Sequence, residues 1–291
     1  MQSIRISNPD AWKKSQKQKM KVLVIGGGNM GKTYAEAMVN SNFLNHKDLM
    51  ILDASKDVTK ELRKNKEFDV YENLKACVPK ADVIFLAVKP YHAEEVMQQV
   101  KEYTVDGQIF ISLMAGVSIN SIKEGVGVTK VVRAMPNLPA KVGMGLTSFT
   151  ASDEVSRLEL STVESLLDTT GRSVRLETEN FIDASTGISG SGPAYIFYFM
   201  QSMIEAALKM GFSARDSNVL VKQTFAGAVE LFNSNNDDPN TWMDKVASKG
   251  GTTRAALDSM EDNNVKELIK DAAYAAFNRA VEIGKEYDAD N

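Results

Sequence analysis

The sequence is poor in the residues that build disulfides and metal sites. Its 291 residues include one cysteine, Cys77, and two histidines, His46 and His92. A single cysteine excludes an intramolecular disulfide and favours the reducing cytoplasm. Because the two histidines do not stand at ligand spacing from each other or from Cys77, we predict no metal site.

Long apolar runs and a strong net charge are also absent. The most hydrophobic helical stretch, residues 193–210, is interrupted by Gln201, Glu205 and Lys209, so no run approaches the roughly 18 residues of a membrane helix. The N-terminal segment lacks the apolar core of a signal peptide. A net charge of −4 gives no electrostatic reason for a nucleic-acid partner. We predict a cytoplasmic protein that binds neither membranes nor nucleic acid.

The composition is that of a folded, two-domain protein. Hydrophobic residues make up 43% and charged residues 25% of the chain, and its length favours two domains over one. Residues 1–19, which are rich in lysine and polar spacers, are predicted to be a disordered extension. We predict a first domain over residues 20–178 and a second over residues 179–291.

Short apolar runs alternate with helical patterns in the first domain. This alternation predicts a doubly wound parallel sheet, whose strands are nearly all apolar because helices cover both faces. The predicted strands are Val22–Ile25, Leu49–Leu52, Asp82–Val88, Gln108–Leu113, Lys130–Ala134, Gly145–Phe149 and Ser173–Leu176. The predicted helices between them include Thr33–Val39, Glu94–Lys101 and Glu154–Leu167.

The second domain carries long helical patterns and little strand signal. Apolar residues recur at three- and four-residue spacing over residues 193–210, 214–232 and 264–287. Alanines and glycines are frequent within them, which predicts close helix packing inside one subunit or between subunits. We therefore expect an all-α second domain.

A glycine fingerprint follows the first predicted strand. Gly26, Gly28 and Gly31 form the pattern G-x-G-x-x-G between a strand and a helix, the context in which this pattern binds a dinucleotide. Gly26 makes the tight turn, Gly28 leaves room for the pyrophosphate and Gly31 permits close packing of helix on strand. Asn29 and Met30 complete the predicted cofactor loop. The alternative is a glycine-rich turn with no ligand.

Asp53 ends the second predicted strand, about twenty residues beyond the fingerprint. An acidic side chain there accepts hydrogen bonds from the adenine ribose, which favours NADH. Ser55 and Lys56 follow, and they can hold a ribose phosphate if Asp53 turns away. Alternatively, Asp53 is a turn residue or a helix cap.

Two later strand ends carry further candidates. Val88 ends the predicted strand at 82–88 and Lys89 and Pro90 follow it, at the edge where open α/β sheets bind ligands. Lys89 is either a cofactor contact or a solvated loop lysine. Asn137, between two prolines, either hydrogen-bonds the cofactor or stabilises its own turn.

Two small-residue loops precede helices in the second domain. The stretch 187–195 contains three glycines and two serines, among them Ser191, and lets backbone approach a ligand closely. It is alternatively a tight connection between packed helices. The loop from Ser248 to Thr253 contains Gly250, Gly251 and Thr252, whose backbone N–H groups and hydroxyls suit a carboxylate. An ordinary helix start with threonine caps is the alternative.

Together these stretches resemble the pyrroline-5-carboxylate reductase family, from Lys21 to about Tyr287. The motifs that carry the resemblance are the fingerprint at 26–31 and residues 87–90, 115–117, 133–139, 189–195 and 248–257. The resemblance implies a Rossmann-like domain followed by an all-α dimerisation domain that interlocks in a homodimer or in higher oligomers of dimers. It also implies hydride transfer from NADPH or NADH to 1-pyrroline-5-carboxylate, giving L-proline.

The same resemblance assigns roles in the second loop. Gly250, Gly251, Thr252 and Thr253 would hold the substrate carboxylate, with the Thr253 hydroxyl near the ring nitrogen. We hypothesise that Thr253 keeps a proton at that nitrogen and that Ser248 supports the loop. Ser191 would contribute to the pocket wall.

The sequence departs from the family at three positions. Lys249 stands where proline is usual, and Leu138 replaces a common threonine. Asp53 occupies a strand end where members that use NADPH have small polar residues. The resemblance therefore favours NADPH, whereas Asp53 favours NADH.

Two other functions stay open. One is a related NAD(P)H-dependent reductase of another imine or keto acid, and the other is a non-catalytic nucleotide sensor. The intact glycines and threonines at 250–253 favour an enzyme, because a sensor needs only the cofactor half.

Overall fold

The computed structural model describes residues 20–290, so the predicted extension at 1–19 lies outside the described residues. Packing divides the chain into two compact units. The first joins the residues up to Gly190 to those from Phe277 onward, and the second is Ser191–Ala276. The predicted domain boundary between residues 178 and 179, which was placed where the strand pattern gives way to long helical patterns, stays a prediction.

Eight strands of the first unit form one sheet, in the order β3-β2-β1-β4-β5-β6-β7-β8. The order reverses between β1 and β4, as in doubly wound sheets. The strands are β1 Val22–Ile25, β2 Leu49–Leu52, β3 Asp69–Tyr71, β4 Val83–Leu86, β5 Ile109–Ser112, β6 Val131–Met135, β7 Gly145–Ala151 and β8 Gly171–Arg175.

Helices cover both faces of this sheet and bury its central strands. Every residue of β1, β2, β4 and β5 is buried. The helices of the first unit are α1 Asn29–Asn40, α2 Lys56–Leu62, α3 Leu74–Cys77, α4 Ala93–Lys101, α5 Ile119–Val126, α6 Arg157–Leu167 and α7 Glu179–Ser185. One core cluster packs α1, α2 and α6 on the sheet, and a second packs α3, α4 and α5. The predicted Rossmann-like architecture is confirmed.

Apart from shifts in strand ends, two strands differ from the prediction, one in its direction and one in its existence. β7 is antiparallel to β6, although a parallel sheet was expected. Only residues 136–144 join the two strands, and a parallel connection needs a crossover of about a dozen residues or more. The sequence analysis also missed β3, a three-residue edge strand without an apolar run.

Helix α6 begins at Arg157, three residues later than predicted. The Ser156 side chain accepts a hydrogen bond from the Glu159 N–H, and the Glu159 carboxylate accepts one from the Ser156 N–H at 2.8 Å. This capping box satisfies two backbone donors at the helix start and sets where the helix begins.

The Ala115–Val117 motif has a packing role in the first unit. Gly116 has φ +78°, and a Cβ there would lie 2.6 Å from Cγ2 of Ile283. A Cβ on Gly284 would lie 2.9 Å from the Gly116 carbonyl oxygen. Both positions therefore need glycine for the C-terminal residues to pack here.

Tyr34 of α1 is fully buried, and its hydroxyl lies 2.6 Å from Oγ1 of Thr147. Burial raises the pKa of this hydroxyl, so Tyr34 is neutral at physiological pH. We expect Tyr34→Phe to lower the free energy of unfolding by about 1–2 kcal/mol, because Thr147 loses its partner. Urea denaturation of this variant and of Tyr34→Phe/Thr147→Val checks it. The double variant should recover part of the loss, and a single variant as stable as the wild type would contradict the prediction.

Cys77 is fully buried, and burial raises the pKa of its thiol to about 11. The thiolate, which is the nucleophile, is therefore scarce at neutral pH. We expect the native protein to leave a thiol reagent unreacted over minutes, and the denatured protein to react with one equivalent. Fast reaction of the native protein with the thiol reagent would contradict the burial of Cys77.

The second unit contains helices only, among its described residues. They are α8 Gly192–Lys209, α9 Ala214–Asn233, α10 Pro239–Val246, α11 Thr252–Asp262 and the first part of α12 Val265–Asp290. α8 packs against α9. Large apolar side chains of both helices remain exposed in the single chain, among them Ile196, Phe197, Tyr198, Val219, Leu220, Val229, Leu231 and Phe232. In the described residues, no helix is long and apolar enough to cross a membrane.

Candidate active site

A cleft of about 880 Å³ lies in the first unit where β1, β2 and β4 end. This is the edge at which open α/β sheets bind ligands, beside the reversal of strand order. Nine of the eleven predicted cofactor residues line it, namely Gly26, Gly28, Asn29, Met30, Asp53, Ser55, Val88, Lys89 and Pro90.

The fingerprint glycines leave the space that a dinucleotide needs. Gly26 has φ +104°, and a Cβ there would lie 2.6 Å from the Ala87 carbonyl oxygen. A Cβ on Gly31 would lie 1.9 Å from the Gly26 carbonyl oxygen, so Gly31 lies behind the loop and closes the packing of α1 on β1. A Cβ on Gly28 would meet nothing within 4 Å, and this open position borders the cleft. The cradle therefore fits a pyrophosphate.

Helix α1 begins at Asn29 and presents its N-terminus to this cleft. Gly28 is the N-cap, and no side chain caps it. The free N–H groups and the helix dipole favour an anion there. The geometry is that of a phosphate site.

The Asp53 carboxylate is held by backbone at the end of β2. Its Oδ2 accepts a hydrogen bond from the Gly27 N–H at 2.7 Å, and its Oδ1 accepts one from the Ser55 N–H at 2.8 Å. Asp53 therefore stabilises its own turn, one of the two alternatives, and at the same time lines the cleft.

Asn137 does not line this cleft, and the structure favours its turn-stabilising role. Its Nδ2 donates to the Ser189 carbonyl oxygen at 3.1 Å, and its Oδ1 accepts from the Leu146 N–H at 2.9 Å. Asn137 therefore joins β7 to the segment before Ser191. Its second N–H and the second lone pair of Oδ1 are not used by these two bonds, so a contact with the cofactor stays a prediction.

Arg133 of β6, to which the sequence analysis assigned no role, pairs with two carboxylates of α7. Its side chain is 4% exposed, and it donates to Glu179 at 3.2 Å and to Asp183 at 2.5 Å. Glu179 Oε1 also accepts from the Ile119 N–H at 2.9 Å. Both carboxylates lie on α7, so Arg133 fixes the helix that leads into the 187–190 segment.

The segment predicted as a small-residue loop is partly helical. Thr186–Gly190 forms a π-helical turn, and α8 begins at Gly192 with Pro193 in its first turn. π-Turns interrupt regular helix geometry and are frequent at functional sites. Ser191 stands at the N-cap of α8, where its carbonyl oxygen accepts from the Ala194 N–H at 2.9 Å.

The 248–253 loop belongs to the second unit and opens α11. Gly250 has φ +72°, and the Gly251 N–H donates to the Ser248 carbonyl oxygen at 3.0 Å. A Cβ on Gly251 would lie 2.5 Å from Ser248 Oγ and 3.1 Å from the Ser248 carbonyl oxygen, so a larger residue there would displace the Ser248 side chain. Thr252 is exposed and Thr253 is half-buried at the helix start.

The sequence analysis also missed several side chains that line the cofactor cleft. Glu72 follows the unrecognised β3, and His92, Glu95 and Glu102 come from α4 or its flanks. Recognition of β3 would have pointed to Glu72, because its strand ends at the same edge. The described residues contain no group of three or more histidine, cysteine, aspartate or glutamate side chains that could hold a metal ion.

Comparisons with known proteins match most of the chain. A family model described as pyrroline-5-carboxylate reductase dimerisation matches residues 179–283, and one described as NADP oxidoreductase coenzyme F420-dependent matches residues 21–116. The chain is 31% identical to a pyrroline-5-carboxylate reductase of Corynebacterium melassecola over 91% of this chain and 98% of that protein.

Solved structures agree with this. A pyrroline-5-carboxylate reductase from Coxiella burnetii is 30% identical and superposes with a TM-score of 0.84, covering 91% of this chain and 98% of that chain. The pyrroline carboxylate reductase of Plasmodium falciparum, solved with NADP bound, is also 30% identical, with a TM-score of 0.83 and the same coverage of 91% and 98%.

Proposed function

Because the chain belongs to the pyrroline-5-carboxylate reductase family, we propose that it reduces the C=N bond of 1-pyrroline-5-carboxylate with NAD(P)H, giving L-proline in the last step of proline biosynthesis. The observation that carries this proposal is the 31% sequence identity to a pyrroline-5-carboxylate reductase, 98% of whose length is covered by the alignment. The glycine cradle at 26–31 and the intact loop at 248–253 support it.

In this proposal the first unit binds the cofactor and the second unit binds the substrate. The cradle, Asp53 and the β4 end hold the dinucleotide, while Gly250, Gly251 and Thr252 hold the substrate carboxylate through backbone N–H groups and a hydroxyl. Ser191 forms part of the pocket wall, and Ser248 supports the loop through its contact with Gly251.

A bound reduced nicotinamide supplies the hydride, so the protein needs neither a nucleophile nor a metal for this step. The protein must orient the imine carbon and keep a proton at the imine nitrogen, because the protonated imine is the better hydride acceptor. We assign that proton-holding role to the Thr253 hydroxyl at the start of α11.

The direct test follows nicotinamide absorbance in purified protein with racemic pyrroline-5-carboxylate, and identifies proline by chromatography. The proposal predicts one proline formed for each NAD(P)H oxidised. Oxidation with another cyclic imine or keto acid alone would favour a related reductase. Cofactor binding without turnover of any substrate would favour a nucleotide sensor.

The match to the dimerisation model makes the protein a homo-oligomer, and we propose that its building block is a dimer formed through α8 and α9. The exposed apolar side chains of these helices need cover from another subunit. Light scattering should give twice the 31.9 kDa chain mass or an even multiple of it. Phe197→Glu should shift the mass towards the monomer, and a monomeric wild type would contradict the dimer.

We further propose that the protein works in the cytoplasm. Its single cysteine, Cys77, is buried and has no partner for an intramolecular disulfide, as suits a reducing compartment. Cell fractionation should recover the protein with cytoplasmic enzymes, and recovery with membranes would contradict this.

A further inference from the structure

We infer that Asp53 makes the dinucleotide cleft selective for NADH over NADPH. The inference depends on the proposed function only for the presence of a nicotinamide dinucleotide. A preference for NADH would distinguish this chain from the Plasmodium falciparum relative, which was solved with NADP bound.

The Asp53 carboxylate has a fixed position. The Gly27 and Ser55 N–H groups donate to its two oxygens at 2.7 and 2.8 Å. Hydrogen bonds to an ionised acceptor are roughly twice as strong as those between neutral groups. If the carboxylate rotated away, both N–H groups would lose their partner. The alternative in which Asp53 turns aside for a ribose phosphate is therefore disfavoured.

This position suits ribose hydroxyls and opposes a phosphate. A carboxylate has about four lone-pair sites, and the two N–H groups occupy one on each oxygen of Asp53. The other two can accept hydrogen bonds from the 2′- and 3′-hydroxyls of an adenine ribose. A 2′-phosphate offers no donor at neutral pH and brings a like charge to the carboxylate.

The neighbouring side chains do not compensate this charge. Ser55 uses its N–H on Asp53, and its Oγ accepts from the Val58 N–H at 3.4 Å as the cap of α2. Glu72 adds a second carboxylate to the cleft. Arg63 pairs with Glu72 at 2.8 Å, and neither Arg63 nor Lys56 lines the cleft.

The lining of the whole cleft is acidic. Among the described residues that line it, the carboxylates are Asp53, Glu72, Glu95 and Glu102, and the only lysine or arginine is Lys89. Lys89 follows β4, two strands across the sheet from Asp53. Neighbouring strands lie about 4.8 Å apart, so Lys89 belongs to another part of the cleft. Among the described residues that line the cleft at the ends of β2 and β3, none is a lysine or arginine.

Equilibrium binding of NADH and of NADPH to the purified full-length protein, without substrate, tests the inference. Nicotinamide fluorescence and calorimetry give the two dissociation constants. We expect NADH to bind at least tenfold more tightly at low ionic strength, and the difference to narrow as salt screens the repulsion.

Three variants identify the residue responsible. Asp53→Asn should reduce the preference at least fivefold, mainly by tightening NADPH binding. Glu72→Gln, which leaves the Gly27 and Ser55 hydrogen bonds intact, should reduce it about threefold. Asp57→Asn removes the same charge from α2 outside the cleft and should change the ratio less than twofold.

A wild-type protein that binds NADPH as tightly as NADH would overturn the inference. An unchanged ratio of the two dissociation constants in Asp53→Asn would also overturn it. If Asp53→Asn does not fold, an unchanged ratio in Glu72→Gln would do so. Failure of the proposed reaction is a separate result, because binding is measured without turnover. Efficient reduction of pyrroline-5-carboxylate with preferred NADPH would sink the inference and leave the proposed function standing.

Discussion

Arg133→Met lowers the free energy of unfolding by about 3 kcal/mol, as expected when one partner of a buried ion pair is removed. The substitution leaves Glu179 and Asp183 without the guanidinium that they share. These carboxylates are 31% and 17% exposed, so partial hydration keeps the loss towards the lower end of the usual 3–5 kcal/mol. Urea denaturation measured by circular dichroism gives the value.

Two further variants separate lost charge from lost geometry. Arg133→Lys keeps the charge but not the two-pronged donor, so it should recover only part of the stability. Arg133→Met combined with Glu179→Gln and Asp183→Asn removes the uncompensated charges and should be more stable than Arg133→Met alone. A single Arg133→Met variant as stable as the wild type would show that this network does not hold α7.

We expect Thr253→Ala to lower kcat/KM roughly a hundredfold if the hydroxyl acts only in the transition state. This corresponds to a loss of transition-state stabilisation of up to about 3 kcal/mol. Loss of a donor at the imine nitrogen should appear mainly in kcat. Steady-state kinetics with saturating cofactor measures both parameters.

Thr253→Ser is the matched control, because it keeps the hydroxyl and removes only the methyl group. It should retain most of the activity, while Thr252→Ala should act mainly on KM through carboxylate binding. Unchanged kinetics in Thr253→Ala would refute the assigned role.

Those parts of the fold that follow from burial were predictable from the sequence. β1 and β2 were predicted to the residue because continuous apolar runs mark strands covered on both faces. β3 was not, because an edge strand of three residues needs no apolar pattern. The direction of β7 depends on the short connection after β6, which matters only once both strands are located.

The candidate site, like the fold, was predictable from the sequence only in part. The glycine cradle was predictable because its residues lie close together in the sequence. The partners of Arg133 lie 46 and 50 residues away, so its ion pairs were not predictable from a local pattern. Asn137 was given two alternative roles, and its contacts with Ser189 and Leu146 show the structural one, while its contact with the cofactor stays a prediction. The function of the 248–253 loop came from resemblance, since an ordinary helix start has the same residues.

Transfer of deuterium from reduced nicotinamide that carries deuterium at both positions of carbon 4 tests the central claim most directly. The protein is incubated with the labelled cofactor and pyrroline-5-carboxylate, and the product is analysed by NMR and mass spectrometry. If the protein is the proposed reductase, proline carries one deuterium at carbon 5 and none elsewhere. Unlabelled proline, or no proline while the cofactor binds, would contradict it.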